Sequence, residues 1–128
     1  YHNWTADWIE ANIRETRNSL FIQSFSRMSD YIHDWAHRKG FWERGKERND
    51  GEMLALVHSE LSEALEALRH DNPPDDKMPD FSGVEAELAD AVIRIMDLAS
   101  ARGWRVGEAI VAKMKVNEGR EHKHGKLF

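Results

Sequence analysis

The sequence predicts an all-α protein, a four-helix bundle with an N-terminal helical extension. Apolar residues recur at intervals of three and four in four segments, which is the helical period, and no alternating β-type run competes with them. Residues that start and stop helices separate these segments at regular places. We therefore predict a helical extension over residues 1–19 and one helical domain over residues 20–128.

The first two domain helices are predicted over residues 20–39 and from about residue 50 to His70. Gly40 is typical of a helix end, and Asn49 with Glu52 fits an N-x-x-E variant of the capping box. The apolar side of the first helix carries Phe21, Phe25, Met28, Ile32, Trp35 and Ala36. The apolar side of the second carries Met53, Val57, Leu61, Ala64, Leu65 and Leu68.

A proline- and aspartate-rich loop over residues 71–80 separates the second predicted helix from the third. Ser82 and Glu85 form a capping box for the third helix, and Gly103 ends it. Its apolar stripe consists of Val84, Leu88, Ala91, Val92, Ile95 and Leu98. A shorter fourth helix over residues 105–118 points Val106, Ile110 and Met114 to the core.

Composition excludes several classes of function. The chain has 128 residues, 32% charged and 41% hydrophobic, as expected of one soluble domain. Its net charge of −5 argues against a nucleic-acid polymer as partner, because a phosphate backbone attracts basic surfaces. The absence of cysteine excludes disulfides, zinc–thiolate sites and cysteine nucleophiles. No apolar run approaches the roughly 18–20 residues of a membrane span and no signal-peptide pattern is found, so we expect a cytoplasmic protein without a membrane partner.

Four carboxylates form a candidate metal site. Glu60 and Glu63 are three residues apart on the second predicted helix, and Glu87 and Asp90 repeat this spacing on the third. Residues three apart share a helix face, and helices joined by a short loop pack antiparallel, so both pairs are expected at the rim of one interface. Oxygen ligands without histidine at helical spacing favour Mg²⁺ or Mn²⁺ over zinc.

A solvated surface is the alternative interpretation of these carboxylates. Either acidic pair alone is typical of an exposed helix face, and Asp90 with Arg94 at i, i+4 is typical of a surface ion pair. Asp97 is expected in a salt bridge with Arg94 or Arg102. The occurrence of both acidic pairs beside apolar stripes on successive helices favours the metal site.

Three stretches of the chain resemble one protein family. They read LALVHSELSEALEALR (54–69), ELADAVIRIMDLA (87–99) and KMKVNEGREHKHGK (113–126). In this order they resemble the MazG-like branch of the all-α nucleoside triphosphate pyrophosphohydrolases, over roughly residues 28–128. The resemblance implies a four-helix MazG-like bundle that hydrolyses a nucleoside triphosphate to a monophosphate and pyrophosphate. The base, the sugar and the physiological role are left open, because house-cleaning of aberrant nucleotides and trimming of deoxynucleotide pools are both compatible with this activity.

The resemblance also implies roles for individual residues. The metal ligands are Glu60, Glu63, Glu87 and Asp90, with Mg²⁺ as cofactor and Mn²⁺ as a substitute. The substrate contacts on the fourth helix and the following tail are Lys113, Asn117, Arg120 and the HGK stretch of His124, Gly125 and Lys126. One carboxylate holds the attacking water, and Glu63 is our choice among the four. Phosphoryl transfer depends on positioning and charge neutralisation, so no serine or cysteine nucleophile is required.

Aromatic residues after the first domain helix are candidates for the base pocket. The resemblance implies that His37 and Trp42 contact the base, and stacking of Trp42 on it competes with a packing role for this residue. Trp35 and Phe41 are expected in the core, as large aromatics near helix ends usually are. The family's assembly from helices, together with the aromatic extension, predicts a homodimer or homotetramer. A helical module that binds a metal–nucleotide or oligomerises without catalysis is the alternative function.

Overall fold

Four α-helices and no β-strand are present in the computed structural model, which describes residues 5–43 and 47–120. The helices are α1 (Ala6–Arg38), α2 (Asp50–Arg69), α3 (Gly83–Arg102) and α4 (Val106–Glu118). This confirms the all-α prediction. None of the described helices combines the length and the apolar character that a membrane span requires.

The long helix α1 contains both the predicted extension and the first predicted domain helix. It continues past residue 19 because residues 14–22 include neither proline nor glycine. Contacts divide the chain into two compact units, which are Tyr1–Arg27 with Arg105–Phe128 and Met28–Trp104. The assignment of separate domains to 1–19 and 20–128 stays a prediction.

The ends of α2 and α3 follow the predicted capping signals. Asn49 Oδ1 accepts a hydrogen bond from the backbone N–H of Glu52 at 3.0 Å, which begins α2. At α3, Ser82 and Glu85 make both hydrogen bonds of the capping box. Gly103 ends α3 with φ of 67°, a left-handed conformation that glycine adopts without the steric cost of a side chain.

Helices α2 and α3 pack antiparallel in the unit Met28–Trp104. Their register follows from Gly83 beside Ala67, Arg94 bonded to Glu60, and Arg102 bonded to Asp50. A Cβ added to Gly83 would lie 3.0 Å from Cβ of Ala67, so the backbones approach closely there. The α2–α3 seam can be narrow because small side chains line it, at Ala64, Ala67, Gly83, Ala86 and Ala91.

The predicted apolar stripes of α2 and α3 are wrong in large part. Met53, Ala64, Ala91 and Leu98 are buried as predicted. Six other members are between 36% and 56% exposed, and they are Leu61, Leu65, Leu68, Leu88, Val92 and Ile95. Small residues allow the closer approach of two helices, so the seam forms along them and the leucine faces turn outward.

In the unit that contains α4, this helix packs through a glycine. Gly107 is buried, and a Cβ added there would lie 3.0 Å from three carbons of Phe25. Ile110 and Met114 do not point into a core as predicted, since they remain exposed and line a groove of about 600 Å³ with Phe21 of α1. The described residues of this unit therefore cover the apolar side of α4 only in part.

Candidate metal centre

Three of the four predicted ligands converge in the α2–α3 seam. Glu60 and Glu63 lie one turn apart on α2, and the antiparallel register brings Glu87 of α3 opposite them. One carboxylate oxygen from each of the three lies within 4.8 Å of the others. Glu60 is only 8% exposed, so it lies within the seam rather than at its rim as predicted. We call Glu60, Glu63 and Glu87 the carboxylate trio.

Glu87 is the member of the trio whose carboxyl group is least compensated by positive charge. Burial, followed by the carboxyl groups of Glu63 and Glu60, raises the pKa of Glu87 to about 7. Oε2 of Glu87 is buried and accepts no hydrogen bond from the described residues. A buried carboxylate oxygen without a partner is costly, because nothing replaces the water it has lost. Three carboxylates and an unpaired oxygen fit a hard divalent cation such as Mg²⁺ or Mn²⁺.

Asp90, the fourth predicted ligand, lies outside the trio. It is one turn from Glu87 on α3 and exposed, and it lines a cavity together with Glu60. Although Asp90 as a whole is exposed, its carboxyl group is partly desolvated, and this effect raises its pKa most. The charge of Glu60 raises the pKa further, while Arg94 opposes the shift. Asp90 is therefore positioned beside the trio, facing the cavity from which a ligand would approach.

A cation from α3 already contacts the trio. Arg94 Nε donates to Oε1 of Glu60 at 3.0 Å. Burial acts to raise the pKa of Glu60, but hydrogen bonds from Arg94 and Glu87 outweigh it, so the pKa lies below its ordinary value. The sequence predicted that Arg94 would pair with Asp90 on its own helix or with Asp97; the structure pairs it across the seam instead. Sequence spacing finds partners within a helix but not between helices.

The cavity beside the trio measures about 190 Å³ and combines charged and apolar walls. Glu60, Asp90, Arg94 and Asp97 of the two acidic helices contribute polar atoms, and Arg48 adds a second guanidinium group. The apolar wall consists of Ile32, Trp35, Ala36, Phe41 and Ile93. The expectation that Trp35 and Phe41 are core residues is wrong, since they are 39% and 55% exposed. Sequence reasoning missed Arg48 because nothing in its local pattern distinguishes it from a solvated loop residue.

Asp97 joins α3 to the end of α1 and to the turn after it. Its carboxylate accepts from Trp42 Nε1, which lies 3.1 Å from both oxygens, and contacts Nδ1 of His33 at 2.8 Å. The expected salt bridge with Arg94 or Arg102 is not found among the ion pairs of the described residues. The polar partners of Asp97 instead come from α1 and from the turn after it, which are distant in sequence, so spacing alone does not reveal them.

The two residues predicted to contact the base, His37 and Trp42, both lie near the end of α1. Trp42 is half-buried, and the guanidinium carbons of Arg48 and Arg102 lie 5.1 and 5.6 Å from its ring centroid. His37 is exposed and meets His33 edge-on, with 6.1 Å between ring centroids. Neither residue lines the cavity, and their contact with a base stays a prediction.

The remaining predicted substrate contacts belong to the other compact unit. Lys113 and Asn117 lie one turn apart on α4, and Arg120 follows its end. Oδ1 of Asn117 is buried without a hydrogen-bond partner in the described part of the chain. Lys126, with His124 and Gly125, lies outside the described residues. The substrate roles of all these residues stay predictions.

Comparison with known proteins gives no matching family model, no matching curated protein and no matching solved structure. The likeness to MazG-like enzymes is therefore carried by the three sequence stretches alone. The fold adds a geometric observation: Glu60 and Glu63 of one stretch meet Glu87 of another in one seam, beside a cavity with cationic and aromatic walls.

Proposed function

We propose that this protein is a Mg²⁺-dependent, MazG-like nucleoside triphosphate pyrophosphohydrolase that cleaves (d)NTPs to (d)NMPs and pyrophosphate. One observation carries the proposal: Glu60 belongs both to the carboxylate trio and to the wall of the cavity. A cation held by the trio would therefore lie beside a space that a nucleotide can enter. Clearing of aberrant nucleotides from the pool is the role that suits this activity.

The trio would hold the metal, which we expect to be Mg²⁺ with Mn²⁺ as a substitute. When bound, a divalent cation neutralises phosphate oxygens and makes a coordinated water more acidic. Glu63 is the exposed member of the trio, so it is the best placed to accept the proton of the attacking water. The water oxygen would bond to the α-phosphorus, the bond from this phosphorus to the α–β bridging oxygen would break, and the bridging oxygen would leave as part of pyrophosphate.

The cavity supports binding of part of a nucleotide. Its 190 Å³ is below the roughly 300–1,000 Å³ of pockets that enclose a whole small molecule, so the rest of the ligand extends outside it. Trp35 and Phe41 offer aromatic surface to a base or sugar, with ring centroids 6.1 Å apart. Arg48 and Arg94 offset the charge of phosphate groups. The acidic and cationic parts of the wall thus suit a metal–phosphate complex.

A pyrophosphate-release screen tests the proposal. The full chain is incubated with each common ribo- and deoxynucleoside triphosphate, with Mg²⁺ or with EDTA. Release is expected for at least one substrate with Mg²⁺, and it should be lost in EDTA and in Glu60→Gln. Lack of turnover with every substrate, or turnover that survives EDTA, would contradict the hydrolase function.

A non-catalytic helical module is the second candidate, and the exposed leucine faces of α2 and α3 favour it. Such faces are typical of helices that pack against another chain. A module of this kind would bind Mg²⁺ and nucleotide and assemble, without releasing pyrophosphate. Binding of a metal–nucleotide together with a negative release screen would support this function over the enzyme.

A further inference from the structure

We infer that Arg94 binds the phosphate chain of the nucleotide while the same guanidinium group holds Glu60 in position. This inference deepens the proposed function, on which it rests for the class of ligand. It gives a substrate-binding role to a residue whose sequence pattern indicates only an ion pair.

The hydrogen bonding of Arg94 leaves most of its donors unused. A guanidinium group carries five N–H bonds in a planar fork. Arg94 uses Nε for Oε1 of Glu60 at 3.0 Å, and its two Nη groups donate to no oxygen of residues 5–43 or 47–120. Its side chain is 37% exposed, whereas that of Glu60 is 10% exposed. Arg94 therefore has one donor fixed in the seam and further donors available at the solvent side.

Arg94 belongs to the wall of the cavity that the expected ligand would enter. Glu60 and Asp90 line the same cavity. A phosphate group bound to a metal at the trio would thus lie next to the remaining N–H groups of Arg94. Planar guanidinium groups bind phosphate through paired hydrogen bonds, and these charge-assisted bonds are among the strongest in proteins.

Charge balance gives a second reason for this role. The trio and Asp90 repel a polyanion, and one divalent cation does not neutralise both four carboxylates and a triphosphate. Arg48, which precedes α2, adds a second positive charge to the cavity wall. Its guanidinium carbon lies 5.1 Å from the ring centroid of Trp42. Among the described residues, Arg94 is the cation that forms an ion pair with a proposed metal ligand, so it couples the position of that ligand to the presence of phosphate.

Calorimetric titration of the full chain tests this inference, with Mg²⁺ alone and with pyrophosphate in the presence of Mg²⁺ as probes. Arg94→Gln keeps a hydrogen-bond donor for Glu60 but loses the charge and the fork, and Arg94→Lys keeps the charge. Arg94→Gln should weaken pyrophosphate binding at least about tenfold, and Arg94→Lys about threefold or more, because one ammonium group cannot serve both partners. Neither variant should bind Mg²⁺ alone more weakly than the unmodified chain, because Arg94→Gln removes a positive charge that competes with the metal for Glu60 and Arg94→Lys adds none.

Arg69→Gln is the matched control, because Arg69 lies exposed at the end of α2 and carries the same charge. It should leave both affinities unchanged, and helical circular dichroism should show that all variants are folded. Unchanged pyrophosphate affinity in a folded Arg94 variant would overturn the inference, as would failure of the unmodified chain to bind pyrophosphate. Hydrolysis of triphosphates is measured separately. If pyrophosphate binding depends on Arg94 but no triphosphate is hydrolysed, the enzymatic function is rejected and the binding role of Arg94 stands.

Discussion

Replacement of Glu87 by glutamine is expected to stabilise the metal-free protein above neutral pH and to abolish its stabilisation by Mg²⁺. Glu87 has a buried oxygen without a partner, and its pKa is raised to about 7 by burial and then by Glu63 and Glu60. Deprotonation of Glu87 therefore adds a third negative charge to a place that already holds two. Glutamine has nearly the same shape and cannot ionise.

The direction of the pH dependence follows from this shift. The ordinary pKa of a glutamate is 4.5, so an unfolded chain loses the Glu87 proton at lower pH than the folded one. Protonated Glu87 thus contributes stability in full below about pH 4.5, and this is lost as the pH rises through about 7. A pKa shift of this size corresponds to a contribution of about 3.4 kcal/mol to the free energy of unfolding. Because the side chain is partly exposed and screened by solvent, we expect a contribution of about 1–2 kcal/mol.

Urea denaturation in EDTA at about pH 5 and about pH 8 measures this contribution. From about pH 5 to about pH 8, the free energy of unfolding of the unmodified chain should fall by about 1–2 kcal/mol more than that of Glu87→Gln. Glu15→Gln, an exposed site on α1, serves as control and should behave like the unmodified chain. Mg²⁺ should then stabilise the unmodified chain, because a ligand that binds the native state adds to the free energy of unfolding, and it should have little effect on Glu87→Gln.

Two results would refute this reasoning. If Glu87→Gln is less stable than the unmodified chain at about pH 8 without metal, the carboxylate is making a favourable contact that the structure does not show. If Mg²⁺ stabilises both proteins equally, Glu87 is not a ligand. A stability gain without metal combined with the loss of the metal effect is difficult to obtain from an ordinary acidic surface.

Three further predictions concern turnover and assembly. Glu63→Gln and Asp90→Asn should each lower Mg²⁺-dependent pyrophosphate release by about 100-fold or more while helical circular dichroism is retained, and near-normal turnover in either would contradict the acidic site. Lys113→Ala should weaken substrate binding or turnover at least about tenfold, which corresponds to about 1.4 kcal/mol. Lys115→Ala, on another face of α4, is the control and should leave both unchanged. Unchanged kinetics in Lys113→Ala would reject a phosphate contact. Sedimentation of the full chain at tens of micromolar should show at least a dimer, and deletion of residues 1–19 should reveal whether the extension makes the contact; a monomer would reject assembly.

The sequence predicted the helices better than it predicted their packing. Caps at Asn49 and Ser82 and the stop at Gly103 depend on local hydrogen bonds and backbone conformation, so they are visible in a few adjacent residues. The predicted helix boundary near residue 19 is not found in α1, because residues 6–38 contain neither proline nor glycine to end the helix there. The relative rotation of α2 and α3 depends on which residues allow close approach, and local periodicity does not contain this information.

The same distinction applies to the candidate site. The trio was predictable because ExxE spacing fixes a shared helix face and antiparallel pairing follows from the short connection. The contact of Arg94 with Glu60 and the contacts of Asp97 with His33 and Trp42 were not predictable, since each joins residues on different elements. Cavity walls formed by Trp35 and Phe41 likewise depend on how the end of α1 meets α3.

One helix rotation explains both the metal centre and the exposed leucines. The outward leucines directly follow residues of the seam, as Leu61 follows Glu60 and Leu88 follows Glu87, so the two faces are about 100° apart on each helix. Turning the leucines inward would expose the trio and separate its members, whereas the observed rotation gathers the carboxylates and leaves the leucine faces adjacent and uncovered. A second copy that covers these faces would bury apolar area without displacing any carboxylate. If the chain assembles and binds metal as proposed, the two properties would use neighbouring faces of the same two helices, and mutations on one face should affect one property far more than the other.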